Sequence, residues 1–500
     1  MVSGGPVSTT SYARYVLFIL LGVYVSNQWA RYLLNYLYAV SDEDYDDDDT
    51  KDWISISDAT GISTSEYGLL VGYGFSFFYV IVGLFMGRAA DKYNRKLIIF
   101  YGLLIWNFAT ICLGLSNDYV QLLLSRILLG IGEAFSMPAS YSLIADYFPA
   151  DSLAQANGIF AFGVYVGGGL SSLSIAMAQG IGWRASAYTV ASYGLLLSLL
   201  VRFTVKEPPR AVGDPTSCAR DTQTKEEDEG DKDFTIKQSA RLIFGEPLIV
   251  LLILGGMVRF MAGYAIGSYL PDFYSQIYPD FNTTYSYLNA SVVSVGGALS
   301  SYMGGFAADR WEKAGQSKAR MYIPAIGALL GAPAFFMVII IPSFYASMFF
   351  LFIEYLVAEC WFGPAISVLQ KSLPPRVRGV GIGFYSFFTT IAGSFMTYAV
   401  GLVLDDYTSD AAIKRTLIVA VCGMYLMSGC IFLVASRFMP ELDSIARCEA
   451  SRQKKKKKRQ PLLERAYDEL ESNNDSFDPK SGQNSNNGVA RRNGGARETF

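Results

Sequence analysis

The chain contains no histidine. That absence excludes a histidine metal ligand, a serine–histidine dyad and a histidine proton relay. Charge is scarce: Asp, Glu, Lys and Arg make up 17% of 500 residues, against about 25% in soluble domains. The six cysteines lie mainly in apolar segments or in the charged central loop and tail. They show no paired spacing, which excludes a zinc-site or disulfide-framework reading. No nucleophile–base or metal constellation is present. The chain therefore reads as a non-enzyme without cofactor or metal, and nothing points to a nucleic-acid partner. What is abundant is apolar: 51% hydrophobic and 14% aromatic residues.

The sequence repeats itself. Gly87-Arg88-Ala89-Ala90-Asp91-Lys92 recurs as Gly305-Phe306-Ala307-Ala308-Asp309-Arg310, an offset of 218 residues. Glu133, Pro138-Ala139, Leu143 and Pro149 recur as Glu359, Pro364-Ala365, Leu369 and Pro375, at an offset of 226. A duplicated membrane bundle places a cavity between its halves, the architecture of a carrier.

A membrane span needs about 20 mostly apolar residues. Twelve segments qualify: 14–38, 67–87, 96–115, 119–145, 156–178 and 185–205, then 247–271, 285–307, 319–341, 344–371, 379–402 and 415–437. The expected fold is all-α, with two pseudo-symmetric six-helix bundles at 1–205 and 247–437. The first span lacks a small-residue cleavage site and reads as a retained helix.

Basic residues in short loops set the expected orientation. Arg88, Lys92, Arg95 and Lys96 follow span 2. Arg310, Lys313, Lys318 and Arg320 follow span 8. Lys371, Arg376 and Arg378 follow span 10. All three turns share one side, expected to be cytosolic with both termini. The acidic loop 41–66 then lies outside, and so does Asn282 of Asn282-Thr283-Thr284, a glycosylation candidate. Residues 206–246 read as a cytosolic linker. In it Ile236, Ala240, Ile243 and Phe244 share a helical face, compatible with a surface helix or a solvated turn. The tail 438–500 is polar and expected to be disordered; its run Lys454–Arg459 suits anionic membrane lipids.

Charges inside a bilayer are costly and mark candidate sites. Six stand well inside spans: Arg31, Arg126, Glu133, Arg259, Glu354 and Glu359. They occupy spans 1, 4, 7 and 10, a pattern with a period of three helices. A shared water-filled cavity explains that confinement, and buried ion pairs between helices would also hold such residues. Arg126 and Glu133 are seven apart on one face, with Gly130 between them. Glu133 and Glu359 each precede a proline by five positions, which kinks the helix. The offsets, 228 for Arg31 and Arg259 and 226 for the glutamates, predict Arg31 opposite Glu133 and Arg259 opposite Glu359.

Gly87-Arg88-Ala89-Ala90-Asp91-Lys92-Tyr93-Asn94-Arg95-Lys96 resembles the signature of the major facilitator superfamily, with Asn94 in place of its second Gly. Leu124 to Ala134, Ile144-Ala145-Asp146, Val166 to Leu170 and Lys206-Glu207-Pro208-Pro209-Arg210 resemble the Spinster branch, which moves lysolipids, sphingoid lipids or organic anions. The likeness is looser in the second half, where Gly363-Pro364 and Pro374 to Arg378 carry it. The resemblance implies a monomeric, alternating-access carrier with its site between the halves. It implies gating roles for Gly87, Asp91, Arg95, Asp146, Gly305, Asp309 and Arg310. It implies a plasma-membrane or endolysosomal location. Where that branch usually carries an Asp before the Arg of helix 1, this chain has Ala30; Leu153 and Gln155 stand where relatives are often basic. The expected function is transport of a small organic anion or a lysolipid or sphingoid-type lipid. The alternative is a sensor or scaffold on the same fold.

Overall fold

The computed structural model describes residues 11–40, 53, 55–208, 236–373, 375–406 and 409–439; the side chains of 84, 88, 91, 150, 151, 154, 236–239 and 375–379 lie outside this description. Among the described residues there is no strand. Residues Met1–Met439 form one compact unit. Of the expected linker 206–246, residues 209–235 fall outside the described residues, as does the expected tail from 440 onward.

Twelve helical rods follow in order. The first is Ser11–Tyr38, and the second runs through Thr64–Val71 and Tyr73–Lys92. The third is Arg95–Leu115, and the fourth combines Tyr119–Glu133 with Ser136–Tyr147. The fifth combines Ala150–Ala161, Gly163–Ser171 and Leu173–Ile181, and the sixth is Trp183–Thr204. The second half begins with Pro247–Ile277. The eighth rod combines Asn282–Ser291, a π-helical turn Val292–Gly297 and Ala298–Lys313. Ala319–Ile340 is the ninth. The tenth combines Phe344–Ala358, a 3₁₀ turn Glu359–Trp361 and Phe362–Ser372. The eleventh is Pro375–Asp406, and the twelfth runs from Asp410 to Ala435.

Among the described residues, ten rods are long and apolar enough to cross a membrane. The first and eighth do not meet that measure, because each spends much of its length on polar residues. Ser26, Asn27, Gln28, Arg31 and Asn35 are in the first; Asn282, Ser286, Asn289 and Ser300 are in the eighth. Both rods pack on the opposite half, so these polar groups meet protein and cavity instead of lipid.

Rod starts follow local chemistry. Asn94 Oδ1 accepts the Leu97 N–H at 2.9 Å, and Asp118 Oδ1 accepts that of Gln121 at 2.9 Å. Ser63 and Glu66 form a capping box. The seventh rod runs six residues past the expected stop at 271, straight through Pro271. It therefore carries Asp272, a charge the expected span left out. A short helix, Ile236–Gly245, does form. It is docked as well as amphipathic: Ile243 is fully buried, and Phe244 packs edge-on against Phe384 and Phe388.

Among the described residues, the two halves share an apolar core at one end. Near the acidic loop a single apolar core draws on both, joining Leu33, Tyr67 and Trp183 to Tyr269, Tyr285 and Val400. Toward the basic turns the core divides into one cluster per half. Glycines mark the same division. A Cβ on Gly68 would stand 2.5 Å from the Thr397 carbonyl oxygen, and one on Gly169 would collide with Ser294 Oγ. At the basic end, a Cβ on Gly83, Gly87, Gly158, Gly305 or Gly363 would meet open space. The cleft is closed beside the acidic loop and open beside the basic turns.

Candidate functional site

The fourth and tenth rods break where their prolines require it. Pro138 and Pro364 cannot donate to the preceding turn. The helical segments accordingly end at Glu133 and at Ala358, the latter followed by the 3₁₀ turn that begins at Glu359. Each glutamate thus sits at a helix interruption in mid-membrane.

The expected pairs form. Arg31 Nε and Nη2 both donate to Glu133 Oε2, at 2.9 and 2.7 Å. Arg259 Nη2 donates to Glu359 Oε1 at 2.8 Å and to the carbonyl of Ala358 at 3.1 Å. Glu133 is fully buried, whereas the Glu359 side chain is 25% exposed. Aromatic faces complete both settings. Arg31 lies 4.7 Å from the ring centroids of Phe75 and Tyr79. Arg259 lies 4.4 Å from that of Tyr425. Such faces attract a cation where water is excluded.

Arg126 differs. It is 1% exposed and forms no ion pair among the described residues. Its donors reach two backbone carbonyls, Leu70 at 3.3 Å and Arg31 at 3.1 Å. Leu70 lies at the end of the broken second rod, before Gly72, where a cation is favoured by unsatisfied carbonyls. Gly130 lets the rods approach this closely: a Cβ there would collide with the Phe75 carbonyl.

A small cavity, with about 30 Å³ of space for the centres of water molecules, lies at this point. Arg31, Tyr32, Asn35, Val71, Phe75 and Arg126 line it from the first half, and Gly263, Tyr264, Gly267 and Ser268 from the seventh rod. Arg31 and Arg126 therefore share one wall. Glu133, Arg259 and Glu359 stand outside this lining. Glu354 departs from expectation: it is 2% exposed inside the second half, where the Tyr425 hydroxyl donates to its Oε1. It stands outside this lining, and the Tyr425 it bonds also carries Arg259 on its ring face. Phe75 and Tyr264 were not singled out by charge, since aromatic residues are abundant throughout. Asn35 has a readable signal: it stands four residues after Arg31, on the same helix face.

The residues expected to gate fall into different settings. Arg95 is buried and clamped by Asp146 and Glu207, with a further bond to the Ser142 hydroxyl at 3.0 Å. Its counterpart by offset 225 is Arg320, which holds Asp309, Glu312 and the Ser367 hydroxyl. Asp309 is thus paired within its own half, at the end where the cleft is open. Gly87 and Gly305 face open space, and Arg310 is exposed. The side chain of Asp91 lies outside the described residues. Asn282 is 4% exposed at the start of the eighth rod, beside Thr283, whose hydroxyl donates to Gln179 at 2.7 Å.

Comparison with known proteins agrees with this architecture. Residues 20–397 match the family model of the Major Facilitator Superfamily. An "MFS-type efflux pump" of Mycolicibacterium smegmatis is 23% identical over 77% of this chain and 87% of its own length. Protein spinster homolog 1 of Xenopus laevis is 33% identical over 40% of this chain, which spans only 36% of that relative. A crystal structure of a bacterial homolog to the human lysosomal transporter Spinster, inward-facing and unoccupied, superposes with a TM-score of 0.70. It is 21% identical and covers 86% of this chain and 98% of its own. The chain is a multi-pass integral membrane protein that belongs to the Major Facilitator Superfamily.

Proposed function

We propose that this chain is an alternating-access transporter whose substrate carries a negative charge: a small organic anion, or a lysolipid or sphingoid-type lipid with an anionic head group. One observation carries the reading. Arg126 is a buried cation on the cavity wall, bonded to carbonyls but without a carboxylate partner. An unpaired buried charge is costly, by several kcal/mol per ion, and a substrate anion relieves that cost. Arg31 is already neutralised by Glu133, so one positive charge is left for the ligand. A guanidinium suits carboxylate or phosphate through its planar fork of donors. The open basic end supports a cytosol-facing state in this reading, with the acidic loop outside.

The test is reconstitution in vesicles with a panel of organic anions, lysolipids and sphingoid lipids. Arg126→Ala is expected to abolish transport of an identified anionic substrate, and Arg126→Lys to retain part of it. Unimpaired transport in Arg126→Ala would remove Arg126 from the site. Ligand binding without any transport would favour a sensor on the same fold.

A further inference from the structure

We propose that Asn35 sets the specificity of the cavity by accepting a hydrogen bond from the ligand, so that the preferred anion also carries a hydroxyl or ammonium group near its charged end. This rests on the reading of Arg126 as the anion anchor and adds a second recognition point.

Asn35 lines the cavity beside Arg31, Arg126, Gly267 and Ser268, and is itself 3% exposed. Its Nδ2 donates to the Gly267 carbonyl at 2.9 Å and reaches the Ser268 hydroxyl at 3.4 Å. A backbone carbonyl only accepts, so this contact fixes which end of the amide is nitrogen. The other end, Oδ1, has no hydrogen-bond partner. Buried acceptors are almost always satisfied. An unsatisfied acceptor on a residue of the cavity lining is a place for a ligand donor.

Its position relative to Arg126 follows from the helix. Arg126 Nη1 donates to the carbonyl of Arg31. In an α-helix that carbonyl faces the backbone N–H four residues on, which belongs to Asn35. Arg126 therefore meets the same turn of the first rod that carries Asn35. A hydroxyl or amine close to a carboxylate places a donor and the anion within reach of that one turn. A plain anion leaves Oδ1 unpaired, and a second anionic oxygen set against it would be repelled. Phe75, Val71 and Tyr264 supply an apolar surface for the rest of the molecule.

Binding to the purified full-length chain tests this with three matched acids: 3-phenylpropanoate, 3-phenyllactate and the O-methyl ether of 3-phenyllactate. The hydroxy acid is expected to bind about tenfold more tightly than both others, because the ether keeps the oxygen but cannot donate. Asn35→Leu is expected to level the three affinities. If that variant does not fold, the ligand series on the unmodified protein still decides. Equal binding of all three acids, lost in Arg126→Ala, would overturn the role of Asn35 and leave the anion site standing. Binding of none, or binding that survives Arg126→Ala, would overturn the anion site and this inference with it.

Discussion

The Thr397 hydroxyl shares its one proton between the carbonyls of Ser394 at 2.8 Å and Gly68 at 3.0 Å, and the second contact joins the eleventh and second rods where the cleft closes beside the acidic loop. The Tyr269 hydroxyl donates to the Thr397 carbonyl at 2.6 Å. The Ser65 backbone N–H reaches Asp405 at 3.0 Å on the same seam.

Gly68 permits this closure because it has no side chain. Gly68→Val is expected to hold the seam apart, since even a Cβ would stand 2.5 Å from backbone that cannot yield easily. A cysteine introduced by Gly158→Cys lies in open space at the basic end. Its thiol labelling should fall at least severalfold in the Gly68→Val background as the population shifts away from this state. Unchanged labelling would show that the seam does not set the conformational balance.

The Arg31–Glu133 pair is buried on the Glu133 side. Glu133→Gln should destabilise the protein by about 3–5 kcal/mol, the usual effect of stranding a buried charge. Joint replacement, Arg31→Met with Glu133→Leu, should recover much of that loss, although transport would still be lost if Arg31 helps to shape the site. Thermal unfolding of the single and double variants measures this. Additive losses in the double variant would argue that the two side chains act independently.

Glu312, in the last turn of the eighth rod beyond its apolar stretch, titrates below the usual carboxylate range. Burial alone would raise its pKa, but hydrogen bonds from Arg320 and Lys371 outweigh that and lower it. A depressed carboxylate stabilises the fold above its unfolded pKa and loses that contribution as the pH falls through its folded value. Glu312→Gln should therefore lower the melting temperature at neutral pH. The difference from the unmodified protein should shrink steadily as acid protonates Glu312. A difference that stays constant with pH would mean the contacts at Glu312 do not depend on its charge.

Proton coupling has few possible carriers here. The chain has no histidine, and Ala30 stands before Arg31 where Spinster relatives usually carry Asp. Glu133 is held by two donors from Arg31. Uptake of an identified substrate is expected to change less than twofold when a pH gradient is imposed across vesicles. Strong acceleration that disappears in Glu133→Gln would place coupling on the fourth rod.

Much of this protein was legible in the sequence because membrane spanning is a local property. Any rod must satisfy its own backbone in lipid, so apolar length located the twelve rods without knowledge of their neighbours. The Glu133–Pro138 and Glu359–Pro364 spacings located the helix breaks for the same local reason. The duplication even reached across rods, since equal offsets require equivalent partners for Arg31 and Arg259. Tertiary packing decided the rest. Glu354 looks the same in sequence whether it faces a cavity or Tyr425, and Asn282 looks the same whether exposed or packed beside the fifth rod. Asn35 gained meaning only when the seventh rod occupied its amide nitrogen and left its oxygen free. The closed end of the cleft depends on which glycines of one half meet carbonyls of the other. Those contacts join residues hundreds of positions apart, and no local pattern of hydropathy or charge specifies them.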